Sequence, residues 1–119
     1  MIIVGGGPAG LNAALVLGRC RRRVLLCDGA KPRNARSGAM HGFLSRDGIS
    51  PVELLRLGHE ELERYGVEYR QVTVSGACPE GSHFKVTLET GESLTCRKLL
   101  LATGVCDRLP AVEGIEQFY

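Results

Sequence analysis

The sequence predicts an α/β fold with a parallel central sheet, and three observations carry that prediction. An apolar triplet, Ile2-Ile3-Val4, runs straight into Gly5-Gly6-Gly7-Pro8-Ala9-Gly10, a strand, a tight turn and the opening of a helix. A second apolar run, Val24-Leu25-Leu26-Cys27, ends on Asp28. A third, Leu99-Leu100-Leu101, ends on Ala102-Thr103-Gly104. Unbroken apolar runs of this kind suit strands covered on both faces, as parallel sheets require.

The glycines come first because their spacing has a chemical use. In G-x-G-x-x-G, missing Cβ atoms let a strand turn sharply, let backbone approach phosphate oxygens, and let the helix pack closely on the sheet. The helix start then adds unpaired N–H donors and the positive end of its dipole. Gly5, Gly6, Gly7, Pro8, Ala9 and Gly10 are therefore candidate ligands of a pyrophosphate. The helix is expected from Pro8 to about Arg22, with Leu11, Ala14, Leu15, Val16 and Leu17 on its apolar side. Arg19, Arg21, Arg22 and Arg23 crowd its far end. They read as phosphate or nucleic-acid ligands, or as cations against the negative end of the dipole. The second reading is preferred, because the phosphate turn lies at the opposite end.

Asp28 closes the second strand at close to the ~20-residue spacing at which an acidic side chain meets the ribose of a bound adenosine. The loop beyond it is long and basic, with Lys31, Pro32, Arg33, Asn34 and Arg36, and long loops in compact domains usually have a task. Arg33 and Asn34 either reach the adenosine or its phosphates or are solvated loop residues. His41 lies further along, and Met40 and Phe43 beside it suggest a packed position. The third strand ends in bare backbone at Ala102 and Gly104, on the carboxyl edge where ligands of open α/β sheets bind.

Between these features, Ser50-Pro51-Val52-Glu53 has the residues of a helix start: a cap, a proline in the first turn and a capping-box acid. That helix should run to Tyr65, with Gly66 as its left-handed stop and His59 on its wet face. A strand follows over residues 67–75. Phe84, Val86 and Leu88 then alternate with polar residues, and Ser93 to Cys96 pairs back after Thr90-Gly91-Glu92. This antiparallel excursion between parallel strands is not the plan of a simple NAD-dependent dehydrogenase.

Bulk properties narrow the classes. The chain has 119 residues, 44% of them hydrophobic, enough for one domain with a modest core. Net charge is +2, which makes no electrostatic case for nucleic acid or a membrane surface as partner. The apolar start is too short for a signal peptide or a spanning helix, so a cytoplasmic protein is expected. Cys20, Cys27, Cys78, Cys96 and Cys106 are odd in number and form no C-x-x-C pair, which argues against a disulfide framework or a zinc site. Cys20, Cys27 and Cys96 fall in segments expected to be buried; Cys106 is taken as structural or incidental. The C-terminal stretch after Leu109-Pro110 leads out of the sheet without a closing element.

The order of glycine turn, Asp28, β-meander and Ala102-Thr103-Gly104 resembles the FAD domain of the flavoprotein disulfide reductases with two dinucleotide-binding domains. Pro32-Arg33-Asn34, the stretch His41 to Pro51 and the exit Gly104-Val105-Cys106-Asp107-Arg108-Leu109-Pro110 are similar to the low-molecular-weight thioredoxin-reductase-like oxidoreductases, in the branch of the fungal dithiol oxidases. The resemblance covers essentially the whole chain. It implies a Rossmann-like FAD-binding domain, incomplete at its C-terminus, with residues 1–119 as its N-terminal part. A nicotinamide-binding domain and the return of the chain to complete the FAD domain would follow.

The resemblance also implies roles. Gly5 through Gly10 would hold the FAD pyrophosphate, Asp28 the ribose, and Arg33 and Asn34 the following cofactor loop. His41 would lie nearer the flavin, Val74 would meet adenine through its backbone, and Ala102 and Gly104 would close over the middle of the cofactor. The whole protein would be a homodimer passing electrons between NAD(P)H, FAD and a small-molecule or protein disulfide or dithiol. Catalytic cysteines cannot be named within this chain. Rival readings are a non-catalytic flavin- or nucleotide-binding module, an NAD-dependent dehydrogenase, and a flavin oxidoreductase or monooxygenase without disulfide chemistry.

Overall fold

The computed structural model describes residues 1–34 and 36–118, without the side chains of Glu116 and Phe118. In chain order the elements are β1 (Ile2–Val4), α1 (Pro8–Arg19), β2 (Leu25–Asp28), α2 (Pro51–Glu63), β3 (Glu68–Gln71), β4 (Val74–Glu80), β5 (His83–Leu88), β6 (Ser93–Cys96) and β7 (Leu99–Leu101). A short 3-10 turn, Ile115–Phe118, ends the described chain. β3, β2, β1 and β7 form a parallel sheet in that order. β4, β5 and β6 form a separate antiparallel sheet.

The three layers follow from strand alternation. Successive side chains on a strand point to opposite faces. Ile2, Val4 and Cys27 turn to one face and pack with Val86, Leu88 and Cys96 of the antiparallel sheet. Ile3 and Leu26 turn to the other and pack with Leu11 and Ala14 of α1 and Leu62 of α2. The parallel sheet is thus sandwiched between helices and meander, which is why β1, β2 and β7 read as unbroken apolar runs, whereas the edge strand β3 is polar and mostly exposed.

Several expected boundaries move. α1 stops at Arg19 rather than about Arg22. Arg21 takes φ of 54°, its N–H bonding Gly18 O, while Arg22 N–H bonds Leu17 O. This is a Schellman end with arginine in the left-handed position where glycine is usual. Val16, expected on the apolar side, is 52% exposed. Ser50 caps α2, accepting from Glu53 N at 3.2 Å. The Glu53 carboxylate turns to Arg56 instead of closing the box. α2 ends at Glu63, and Gly66 has the expected positive φ of 64°.

The segment 67–75 is two strands rather than one. β3 pairs with β2, and after Val72 and Thr73 the chain enters β4, whose Val74 pairs with Leu88 of β5. Val72 and Val74 both pack on the same core. Side-chain alternation therefore continues while the hydrogen-bond partner changes, and alternation is all that a sequence displays. The meander gains β4 as its third strand, with Pro79 tolerated because β4 is an edge. β7 is also an edge, and its Leu101 is 68% exposed, so that strand is not fully buried as expected. Cys27 and Cys96 are buried, but Cys20 and Cys106 are exposed. No helix among the described residues is long and apolar enough to cross a membrane.

Candidate functional site

The glycine turn leaves the carboxyl end of β1 and is wedged between the ends of its two neighbours. Gly5 N–H bonds Cys27 O of β2 at 2.8 Å, and Ala102 N–H bonds Val4 O at 2.8 Å. A Cβ on Gly5, where φ is 106°, would strike the Ala102 carbonyl. One on Gly6 would sit 2.5 Å from the Asp28 carboxyl carbon, and one on Gly10 would strike the Gly5 carbonyl. Gly7 differs: a Cβ there meets nothing within 4 Å. The glycines of this turn therefore have separate tasks. Gly5, Gly6 and Gly10 let backbones close up, and Gly7 faces open space.

That open space adjoins the start of α1. Gly7 is the N-cap, Pro8 opens the helix, no side chain caps it, and no acid lies in its first turn. Leu11 N–H to Gly7 O, at 2.9 Å, is the first helical bond. The donors before it point outward with the positive end of the dipole, and nothing in the helix's own sequence neutralises them. Such a cradle suits an anion.

Asp28 sits beside it, half-buried. Its Oδ1 accepts from Ala30 N–H at 3.1 Å, and its Oδ2 lies 3.5 Å from the Tyr69 hydroxyl. Burial, and then the Asp28 charge, push the Tyr69 hydroxyl above its usual pKa, so it stays a donor. Tyr69 in turn meets His59 edge to face, ring centres 4.4 Å apart. His59 is thus half-buried against a ring and not on a wet face. A cleft of about 370 Å3 opens from Asp28 between Gly29, Gln71, Thr73, Glu89 and Thr90. Glu89 N–H bonds Thr73 O at 2.8 Å, which fixes the meander against this cleft.

The remaining candidates are more scattered. Val74 starts β4, next to the cleft residue Thr73. Gly104 is exposed with φ of 68°, just beyond Ala102. Arg33 forms a two-pronged pair with Asp107, through Nε and through Nη2 at 3.2 Å from Oδ1. Asn34 Nδ2 lies 3.7 Å from Met40 Sδ. His41 is not packed as expected: its side chain is 74% exposed and its Nδ1 lies 3.6 Å from Asp47 Oδ1, with Phe43 also exposed. The structure therefore brings together the glycine turn, Asp28 and Ala102, and leaves His41 largely exposed. A second cleft of about 230 Å3, lined by Pro8, Asn12, Phe43, Arg46 and Glu61 among others, lies between the two helices and this loop.

Sequence reasoning missed Tyr69, Gln71, Thr73 and Glu89. Tyr69, Gln71 and Thr73 lie near Val74 in the sequence, and Glu89 is brought to them only by the pairing of β4 with β5. Among the described residues no group of three His, Cys, Asp or Glu side chains could hold a metal ion.

Comparisons with known proteins identify relatives of this chain. The family model described as "Pyridine nucleotide-disulphide oxidoreductase" matches residues 1–119. A protein of Arthroderma benhamiae named "Probable thioredoxin reductase" is 36% identical over 98% of this chain and 30% of its own length. Thioredoxin reductase sirT of Leptosphaeria maculans is 38% identical over 98% of this chain and 37% of its own. The crystal structure of an oxidoreductase from Agrobacterium tumefaciens superposes with a TM-score of 0.92 at 38% identity, covering 98% of this chain and 40% of that one. The chain thus spans well under half the length of these relatives. On its matched length and its thioredoxin-reductase-like fold, the chain belongs to the pyridine nucleotide-disulphide oxidoreductase family.

Proposed function

We propose that this chain is the FAD-binding portion of a thioredoxin-reductase-like flavoprotein, in which NAD(P)H, FAD and a disulfide or dithiol exchange two electrons. The observation that carries this reading is the glycine turn wedged between Asp28 and Ala102 with open space at Gly7. The residues fit the cofactor's chemistry. The uncapped start of α1 offers donors and positive potential to a diphosphate. The Asp28 carboxylate, held by Ala30 N–H, offers its remaining lone pairs to ribose hydroxyls. Backbone near Val74 borders the cleft where adenine would lie, and Ala102 and Gly104 present bare backbone to the middle of the cofactor. Arg33 and Asn34 belong to the loop that follows the ribose carboxylate, with His41 toward the flavin end.

FAD, when bound, supplies hydride acceptance and two-electron transfer, and the protein binds and orients it. No C-x-x-C pair occurs in this sequence, so none of its five cysteines is assigned to disulfide exchange. Relatives named thioredoxin reductases support the electron path of the whole protein.

Two glycine variants test the reading in the full-length protein. Gly7→Ala should leave thermal stability nearly unchanged, because its Cβ meets open space, yet weaken FAD binding at least tenfold by intruding where phosphate approaches. Gly10→Ala should destabilise the fold itself, because its Cβ strikes backbone. Bound flavin is read by absorbance and by fluorescence on release. Colourless wild-type protein that takes up no FAD would overturn the proposal.

A further inference from the structure

β2 and β3 run parallel, with Leu26 opposite Tyr69 and Asp28 opposite Gln71. Paired residues, and those two positions along a strand, share one face of a sheet, so Tyr69 and Asp28 lie on the helix side, where Leu26 packs. There the Tyr69 ring meets His59 of α2, centres 4.4 Å apart, and its hydroxyl ends 3.5 Å from Asp28 Oδ2. The other oxygen, Oδ1, accepts from Ala30 N–H at 3.1 Å. Gly6 lies so close that a Cβ on it would come within 2.5 Å of the carboxyl carbon. The carboxylate is thus held from three sides: by the Ala30 backbone, by the glycine turn and by Tyr69.

We infer that Tyr69 is a positioning residue: its hydroxyl fixes the plane of the Asp28 carboxylate, and it acts on FAD through Asp28 rather than by touching the cofactor. This rests on the FAD reading above. The last torsion of an aspartate is broad, and a single hydrogen bond on one oxygen leaves the plane free to swing. A second donor on the other oxygen removes that freedom in advance, so cofactor binding does not have to freeze it. The lone pairs allow this. An ionised carboxylate offers about four acceptor sites; Ala30 and Tyr69 take one on each oxygen and leave one on each for a pair of neighbouring ribose hydroxyls. The phenol therefore does not compete with the sugar. Nor does its own burial require the contact, since Tyr69 is 38% exposed on an edge strand, where water can serve a hydroxyl. Phenylalanine would fill the same place against His59, and only the hydroxyl singles out Asp28.

The test is a double-mutant cycle on full-length protein stripped of flavin, with FAD affinity read by fluorescence titration. Tyr69→Phe should fold as the wild type does, because the ring stays against His59. It should weaken FAD binding about threefold to fivefold, the lower part of what one hydrogen bond contributes, because 3.5 Å is a long contact. In an Asp28→Ala background the same change should cost nothing further, because the group that Tyr69 positions is gone. Both Tyr69 variants should also match their parents toward an FAD analogue whose adenosine ribose lacks its hydroxyls. If Tyr69→Phe binds FAD as tightly as the wild type or more tightly, or loses the same factor with and without the Asp28 carboxylate, the positioning role is wrong while the FAD reading stands. If Tyr69→Phe fails to fold, Tyr69 is structural and the inference is likewise overturned. Wild type that never binds FAD removes the FAD reading itself, and this inference with it.

Discussion

A single carboxylate shows how closely this site is built. Asp28 lies against Gly6, takes the Ala30 N–H on one oxygen and faces the Tyr69 hydroxyl with the other. Its position on β2 could be read from the sequence, because an acid ending an apolar run at that distance from a glycine turn has a chemical use. Its partners could not, since Tyr69 reaches it only through pairing of β2 with β3. Asp28→Asn keeps the shape and removes the charge. Hydrogen bonds to charged groups are worth about 1.5–3 kcal/mol, so FAD affinity should fall about tenfold to a hundredfold. Fluorescence titration measures it. Unchanged affinity would remove Asp28 from the site.

Helix ends supply the element-scale lesson. The sequence placed the end of α1 at about Arg22, yet the chain turns at Cys20 and puts Arg21 in the left-handed region. A Schellman end needs positive φ at this position, and glycine adopts it without the Cβ penalty. Arg21→Gly should therefore stabilise the protein by about 0.5–1 kcal/mol, the left-handed strain relieved less the entropy of a freer unfolded chain. Urea midpoints decide it, and a lower midpoint would mean that the Arg21 side chain matters more than its backbone. Propensity alone hid this end, because arginine is a good helix former and no glycine marked the stop. The second helix was more legible: Ser50, Pro51 and Gly66 each act as their type suggests, although Glu53 spends its carboxylate on Arg56.

For the whole molecule the meander decides the architecture. It covers one face of the parallel sheet while both helices cover the other, so Val86 and Leu88 share a core with Ile2 and Cys27. The radius of gyration, 16.1 Å, exceeds the roughly 13.5 Å expected for a compact chain of this length. The segment from Thr103 to Glu113 is exposed throughout. Burial in the shared core pushes the Cys27 thiol above its usual range near 9, more than Arg70 pulls it down. As pH rises through that range the unfolded thiol loses its proton first and the folded one keeps it. The unfolded state then binds fewer protons, so stability falls with rising pH. Tyr69, also raised, adds to the same slope at higher pH. Between about pH 8.5 and 10 the wild type should lose stability more steeply than Cys27→Ala, whatever the packing cost of that variant at neutral pH. Denaturant melts across the range check this, and parallel slopes would contradict it.

Local chemistry was enough to place β1, the glycine turn, Asp28, the cap of α2 and the alternation of β5, because in each the residue type itself carries the constraint. A turn that admits no Cβ needs glycine, and a half-buried strand must alternate. Only the tertiary structure separated β3 from β4, sent the meander over the sheet, drew Tyr69 and Thr73 to the neighbourhood of Asp28, and joined Arg33 to Asp107. Those outcomes depend on which backbone groups pair across long stretches of chain, and a change of pairing partner leaves the pattern of side chains along the sequence untouched.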